Sequence, residues 1–144
     1  MASGDRVDPY LNYNFSVEID GLKVAGFSEV TMGSTTAQAS EYREGTDRPT
    51  VRKLPGAVKY DNIVLKWGIT DSRVLYDWYA DVAKGKVERK NGSIILNGLD
   101  GTEKLRWNFI QGWPTTWKGP ELNAKSNEAA IVQLEIAHEG LEQA

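Results

Sequence analysis

The sequence predicts a mainly β fold: a small antiparallel two-sheet barrel or sandwich with one flanking α-helix and a long, extended, hairpin-like arm. Three observations carry this. Apolar and polar residues alternate with a period of two over several segments, and one segment has helical spacing instead. The stretch from 33 to 57 holds only three large apolar side chains, Tyr42, Val51 and Leu54, so it has almost nothing to bury.

The first strand is the clearest element. Leu11, Tyr13, Phe15, Val17 and Ile19 alternate with Asn12, Asn14, Ser16, Glu18 and Asp20, the pattern of a half-buried strand. Gly21 turns the chain into a hairpin partner over 22–30, in which Gly26 predicts a bulge. After the apolar-poor stretch, Ile63, Leu65, Trp67 and Ile69 mark another amphipathic strand. The segment TDSRVLYDWYADVAKG changes period. Val74, Leu75, Trp78, Tyr79 and Val82 share one face of a helix over 72–84, with Asp71 or Ser72 as its cap and Gly85 as its stop. Further strands follow at 93–97, 103–111, 113–118 and 130–138, with Asn97-Gly98 and Asp100-Gly101 supplying turns.

A chain of 144 residues suits one domain, 1–144, able to bury roughly 68–70% of its unfolded surface without a disulfide or a metal. The absence of cysteine excludes a disulfide framework, a thiolate zinc site and a cysteine nucleophile. No stretch approaches the roughly 18 apolar residues of a membrane span, and the first residues lack the pattern of a secretory signal, so the expectation is cytoplasmic synthesis. A net charge of −3 argues against a dedicated nucleic-acid binder, and the basic run KGKVERK reads as a solvated turn after the helix.

Chemistry is sparse. The single histidine, His138, lies in register with the apolar side of the last strand, which suits a structural role, and one histidine cannot make a zinc site. Nothing resembles a nucleophile–base pair, a P-loop or a dinucleotide fingerprint, so no catalytic, cofactor-binding or metal-binding residues are assigned. Acidic pairs such as Glu18/Asp20 read as solvated surface rather than as the carboxylates of a hydrolase. Trp67 and Trp107 fall on core faces. Trp113 and Trp117 remain open to a second reading, a stacking platform in a carbohydrate-binding β-sandwich.

The segment 33–57 reads either as a floppy loop or as an arm whose backbone and charges find partners on a neighbouring copy. The ordered series DPYLNYNF, VEIDG, GFSEV, EYREG, VRKLPG, LKWGITDS, LYDWY, ERKNGSI, WNFIQGWP, KGPELNA and IAHEGLE, from Asp8 to Glu142, resembles the inner tube proteins of contractile phage tails and extracellular contractile injection systems. That resemblance implies a two-sheet barrel with one helix and no catalytic residues. Six copies would close into a ring, and rings would stack into a hollow tube inside a contractile sheath. The implied partners are other copies, the sheath, baseplate or spike and tape-measure proteins, and a protein or DNA payload, in a particle assembled in the bacterial cytoplasm. The arm would then supply inter-subunit contacts through Glu41, Tyr42, Arg43, Glu44, Arg48, Val51, Arg52, Lys53, Leu54 and Pro55. The polar strand faces, Asn12, Asn14, Ser16 and Glu18 with Lys104, Arg106 and Asn108, would line the lumen or the sheath-facing outside.

Overall fold

A computed structural model describes residues 14–42, 45, 51–68, 73–122, 124–125 and 130–144, with positions 25 and 26 described for their backbone alone. The elements in chain order are β1 (Asn14–Ile19), β2 (Leu22–Thr31), β3 (Thr35–Tyr42), β4 (Arg52–Tyr60), β5 (Ile63–Gly68), α1 (Val74–Ala83), β6 (Lys90–Asn97), β7 (Glu103–Lys118), β8 (Ile131–Ala137) and β9 (Gly140–Gln143). The expected residues Leu11, Tyr13, Ile69, Asp71 and Ser72 lie outside the described residues.

The large sheet runs β6-β1-β2-β5-β8-β7-β9, and β6 also pairs with β7. That extra pairing closes six antiparallel strands into a barrel, and β9 continues along β7 beyond the end of β8. A barrel this narrow is filled by side chains. Val17, Ile63, Leu65, Leu134 and Ile136 are completely buried, and Ile94 and Phe109 join them in one cluster. Each such side chain contributes about 1.5–3 kcal/mol of transfer free energy. Closure also leaves few open sheet edges.

The local devices follow from sequence. Phe15 pairs with Phe27 while Ser16 pairs with Ala25, so Gly26 is the extra residue of a bulge in β2, as its sequence position predicts. The turn into β2 uses left-handed backbone at Asp20 (φ 53) and Gly21 (φ 83). Helix α1 ends in a Schellman arrangement: Gly85 takes φ 88, its N–H donates to Val82 O, and Lys86 N–H donates to Asp81 O. Leu75 and Trp78 are buried on the barrel side, and Trp78 Nε1 donates to Glu88 O at 2.9 Å. Val74, expected on the same face, is exposed at the start of the helix.

Two expected strands, 103–111 and 113–118, are one strand. Gln111 adopts φ 52 and donates its N–H to the Asn91 side-chain oxygen at 3.0 Å, which bends β7 without ending it. Its first half pairs with β6 and its second with β8, so the bend is a barrel corner. Trp117 is no open platform. It meets Tyr76 edge-on with centroids 5.0 Å apart, and Tyr79 and Trp67 lie at 6.5 and 5.8 Å. Aromatic side chains of α1 and β5 pack against its half-buried ring.

Candidate functional site: the arm and the outer polar face

The described part of the stretch poor in apolar residues forms a two-stranded antiparallel ribbon. β3 and β4 pair only with each other, forming a separate two-stranded sheet. Every residue of β3, and every residue of β4 except Tyr60, is exposed. An isolated two-stranded ribbon is at best marginally stable in water. The arm therefore carries surface that its own barrel does not cover.

Register sorts the arm residues into two faces, because residues directly opposite each other share a face. Glu41 faces Lys53 and Ala39 faces Pro55 on one side, while Tyr42 faces Arg52 and Ser40 faces Leu54 on the other. Val51 is exposed just before β4. The predicted contact residues Arg43, Glu44 and Arg48 lie outside the described residues. A register shift between Ala37 and Ala39 falls opposite Gly56, where a Cβ would stand 3.0 Å from the Gln38 carbonyl oxygen.

The root of the arm is pinned to the barrel. Gly33 takes φ 70 and packs on Asp61 so closely that a Cβ there would come within 2.5 Å of the Asp61 Cβ. Asp61 Oδ2 accepts from Ser34 N at 2.9 Å, and Asp61 N donates to Ser34 O at 3.0 Å. His138, between β8 and β9, places Nε2 3.0 Å from Asp61 O and Nδ1 3.1 Å from Gly140 O, with the Tyr60 ring 5.4 Å away. The structural histidine expected from sequence is thus the clasp between arm root and barrel, a role that strand periodicity gives no sign of. Replacing it by phenylalanine keeps a ring but removes both polar contacts. His138→Phe should cost about 1–2 kcal/mol in equilibrium denaturation and speed amide exchange at Ser34 and Asp61 ahead of the barrel strands.

The polar residues singled out on other strands converge on one wall of the barrel. Across β1, β6 and β7 the register aligns Glu18 with Ser93 and Asn108, Ser16 with Ile95 and Arg106, and Asn14 with Asn97 and Glu103. Arg106 grips Glu103 with its Nε and terminal nitrogen, the shortest contact being 2.7 Å, and approaches Glu18 at 3.7 Å. The hydrogen bond from Arg106 holds the Glu103 carboxyl below the usual carboxylate range and raises Arg106 in turn. Such exposed pairs add little stability, so their consequence is the fixed direction of the charges. Ser93 Oγ donates to Asn108 Oδ1 at 2.6 Å. Lys104 is exposed at the bulge beside Gly98, and Asn12 lies outside the described residues.

One expectation is corrected. Ser16 does not belong to the exposed polar face: it is 1% exposed, set between Ala25 and Ile95, and accepts a 3.1 Å hydrogen bond from Asn97 Nδ2. Period two places Ser16 on the correct side of the strand but carries no information about depth. Its satisfied hydroxyl and the buried Ile95 form a tight seam under the charged rim. Asn97 Oδ1 has no hydrogen-bond partner among the described residues.

No group of three or more His, Cys, Asp or Glu among the described residues is arranged to hold a metal, and no helix among them is long and apolar enough to cross a membrane. The family model for T4-like virus tail tube protein gp19 matches residues 11–142. The chain belongs to that tail tube family. Within it, the arm and the polar wall are features of a contractile-tail component.

Solved structures agree with the family. The chain is 27% identical to a protein of the PVC extracellular contractile injection system, in its sheath–tube complex in the extended state, with 94% of this chain and 91% of that one covered and a TM-score of 0.82. It is also 27% identical to a protein of the anti-feeding prophage tube-terminating cap, covering 100% and 99% with a TM-score of 0.81. Hcp1 from Flavobacterium johnsoniae shares the fold at 14% identity, 92% and 95% coverage and a TM-score of 0.57. Among curated protein sequences no match was found.

Proposed function

We propose that this tail tube protein assembles as hexameric rings that stack into the hollow inner tube of a contractile injection system or phage tail, a non-enzymatic conduit for payload inside a contractile sheath. The observation that carries this reading is the arm, whose two paired strands are exposed on both faces of their ribbon. A ribbon of that kind is stabilised by joining another body, and other copies of the same chain are the bodies a tube provides. A head-to-tail contact closes into a ring, and unlike upper and lower surfaces let rings stack without limit.

The injection-system relative lies in a sheath–tube complex, which supports a sheath as outer partner. Baseplate or spike, tape-measure protein and a protein or DNA payload complete the assembly, which forms in the bacterial cytoplasm before the particle acts. On this reading the wall bearing Glu18, Arg106 and Asn108 faces either lumen or sheath, and its side chains, paired with one another, give cargo or sheath a hydrated surface.

Negative-stain microscopy of the purified full chain at rising concentration tests the proposal. Rings with a central hole, or stacked tubes, are expected. Isolated globules at every concentration would overturn it.

A further inference from the structure

We infer that the distal part of the arm docks into a groove on a second copy, formed between the β1–β2 turn and helix α1, with Leu54 seated on its apolar floor and Arg52 paired to Asp20. This inference rests on the tube reading and names the surface that receives the arm.

The groove has a volume of about 240 Å³ and is lined by Ile19, Asp20, Leu22, Val74, Leu75, Trp78 and Lys90. Its floor is core: Ile19, Leu75 and Trp78 are each 5% exposed. Its lips are apolar and open, with Leu22 51% and Val74 39% exposed. Arg73 at the start of α1 makes no side-chain capping hydrogen bond, and Val74, the first apolar residue of the helix, is exposed. Water in such a groove is displaced favourably by one large apolar side chain.

The arm presents a matching face. Tyr42 and Arg52 oppose each other, and Ser40 and Leu54 form the next pair, so Leu54 and Arg52 project together from one side of the ribbon. Leu54 is 46% exposed within its own copy. The eight residues of β3 reach ~26 Å from the arm's root, far enough to carry this face to a neighbouring body.

Charge complementarity favours the arm as the occupant. Asp20 and Lys90 both line the groove where β1 meets β6, Asp20 N donating to Asn91 O at 3.0 Å, and Lys90 Nζ lies 6.0 Å from the centre of the Trp78 ring. Neither Asp20 nor Arg52 enters an ion pair among the described residues. Setting Arg52 against Asp20 pairs two charges that have no ion-pair partner among the described residues of either copy.

The absence of native cysteine makes the test clean. Full-length Leu22→Cys and Leu54→Cys are purified separately, mixed in equal amounts under assembling conditions, and oxidised. The expected result is a disulfide-linked dimer abundant in the mixture and scarce in either variant alone, because the bond joins different copies. Since a disulfide demands close Cα approach, a second measurement reads the same contact without one. Asp20→Asn and Arg52→Gln should each raise the concentration needed for assembly about threefold to fivefold, and the double variant should raise it no more than either alone. Wild-type rings or tubes combined with no mixed dimer and with effects that multiply in the double variant overturn the docking and leave the tube reading intact. Failure of the wild type to assemble overturns both.

Discussion

Phe109→Ala should lower the stability of the barrel by about 3–5 kcal/mol, a large part of the 5–15 kcal/mol available to a domain of this kind. Phe109 is 1% exposed at the bend of β7, where it meets two strands at once. A Cβ added at Gly92 would come within 2.5 Å of the Phe109 ring, and one added at Gly112 would do the same. Both glycines are therefore sockets for one aromatic ring. Gly92 lies across from Phe109 on β6, and Gly112 is three residues farther along β7 after the left-handed residue Gln111. Truncating the ring leaves two backbones facing a void that neither glycine can fill. Urea denaturation followed by tryptophan fluorescence measures the loss, and a change below about 1.5 kcal/mol would contradict this account of the corner.

The same geometry predicts the converse substitutions. Gly112→Ala overpacks against the ring and should cost about 1–3 kcal/mol. Gly92→Ala should cost more, because its Cβ would also stand 2.6 Å from the Glu18 carbonyl oxygen, and backbone yields less readily than a ring. Combining Phe109→Leu with Gly112→Ala should be less harmful than the sum of the two, since the smaller side chain makes room for the added methyl.

These contacts mark the limit of what the sequence reveals. Alternation exposes the core faces of β1, β5 and β8, because Val17, Ile63, Leu65, Leu134 and Ile136 repeat every second residue and are all fully buried. Gly26 and Gly85 are legible for a related reason: a bulge and a helix stop are local events with local residue preferences. Closure of the barrel is not local. It depends on β6 meeting β7 as well as β1, and nothing in the segment around Ile94 states which two strands will flank it. The bend at Gln111 is concealed because glutamine is not a residue one expects at positive φ, and its N–H is satisfied by Asn91, twenty residues earlier. For the candidate interface, the lack of burial in β3 and β4 is readable directly as a lack of apolar residues. The clasp at His138 is not, since its partners are backbone carbonyls, which every sequence carries. Ser16 fails from the other direction, a polar residue carried inward by the hydrogen bond it can accept.

Deleting residues 36–53 should abolish stacking of the tube while leaving a folded barrel. No described residue from 33 to 60 belongs to the core cluster, and β3 and β4 exchange ladder hydrogen bonds only with each other. Removal joins Thr35 to Leu54, retains the Gly33–Asp61 contact and the His138 clasp, and leaves a short exposed connection whose closure is entropically cheap. The denaturation midpoint should therefore shift by no more than about 1 kcal/mol in free energy. Assembly has no such insulation. The deleted segment carries Glu41, Tyr42, Val51, Arg52 and Lys53 and leaves Leu54 without a ribbon to hold it out. Circular dichroism and urea titration establish the folded barrel, and sedimentation with electron microscopy reads assembly. Loss of tubes in a variant as stable as the wild type ties the arm to contact between copies. Tubes of normal length from that variant would show that the barrel walls alone carry the stack, and the exposed ribbon would then need another partner.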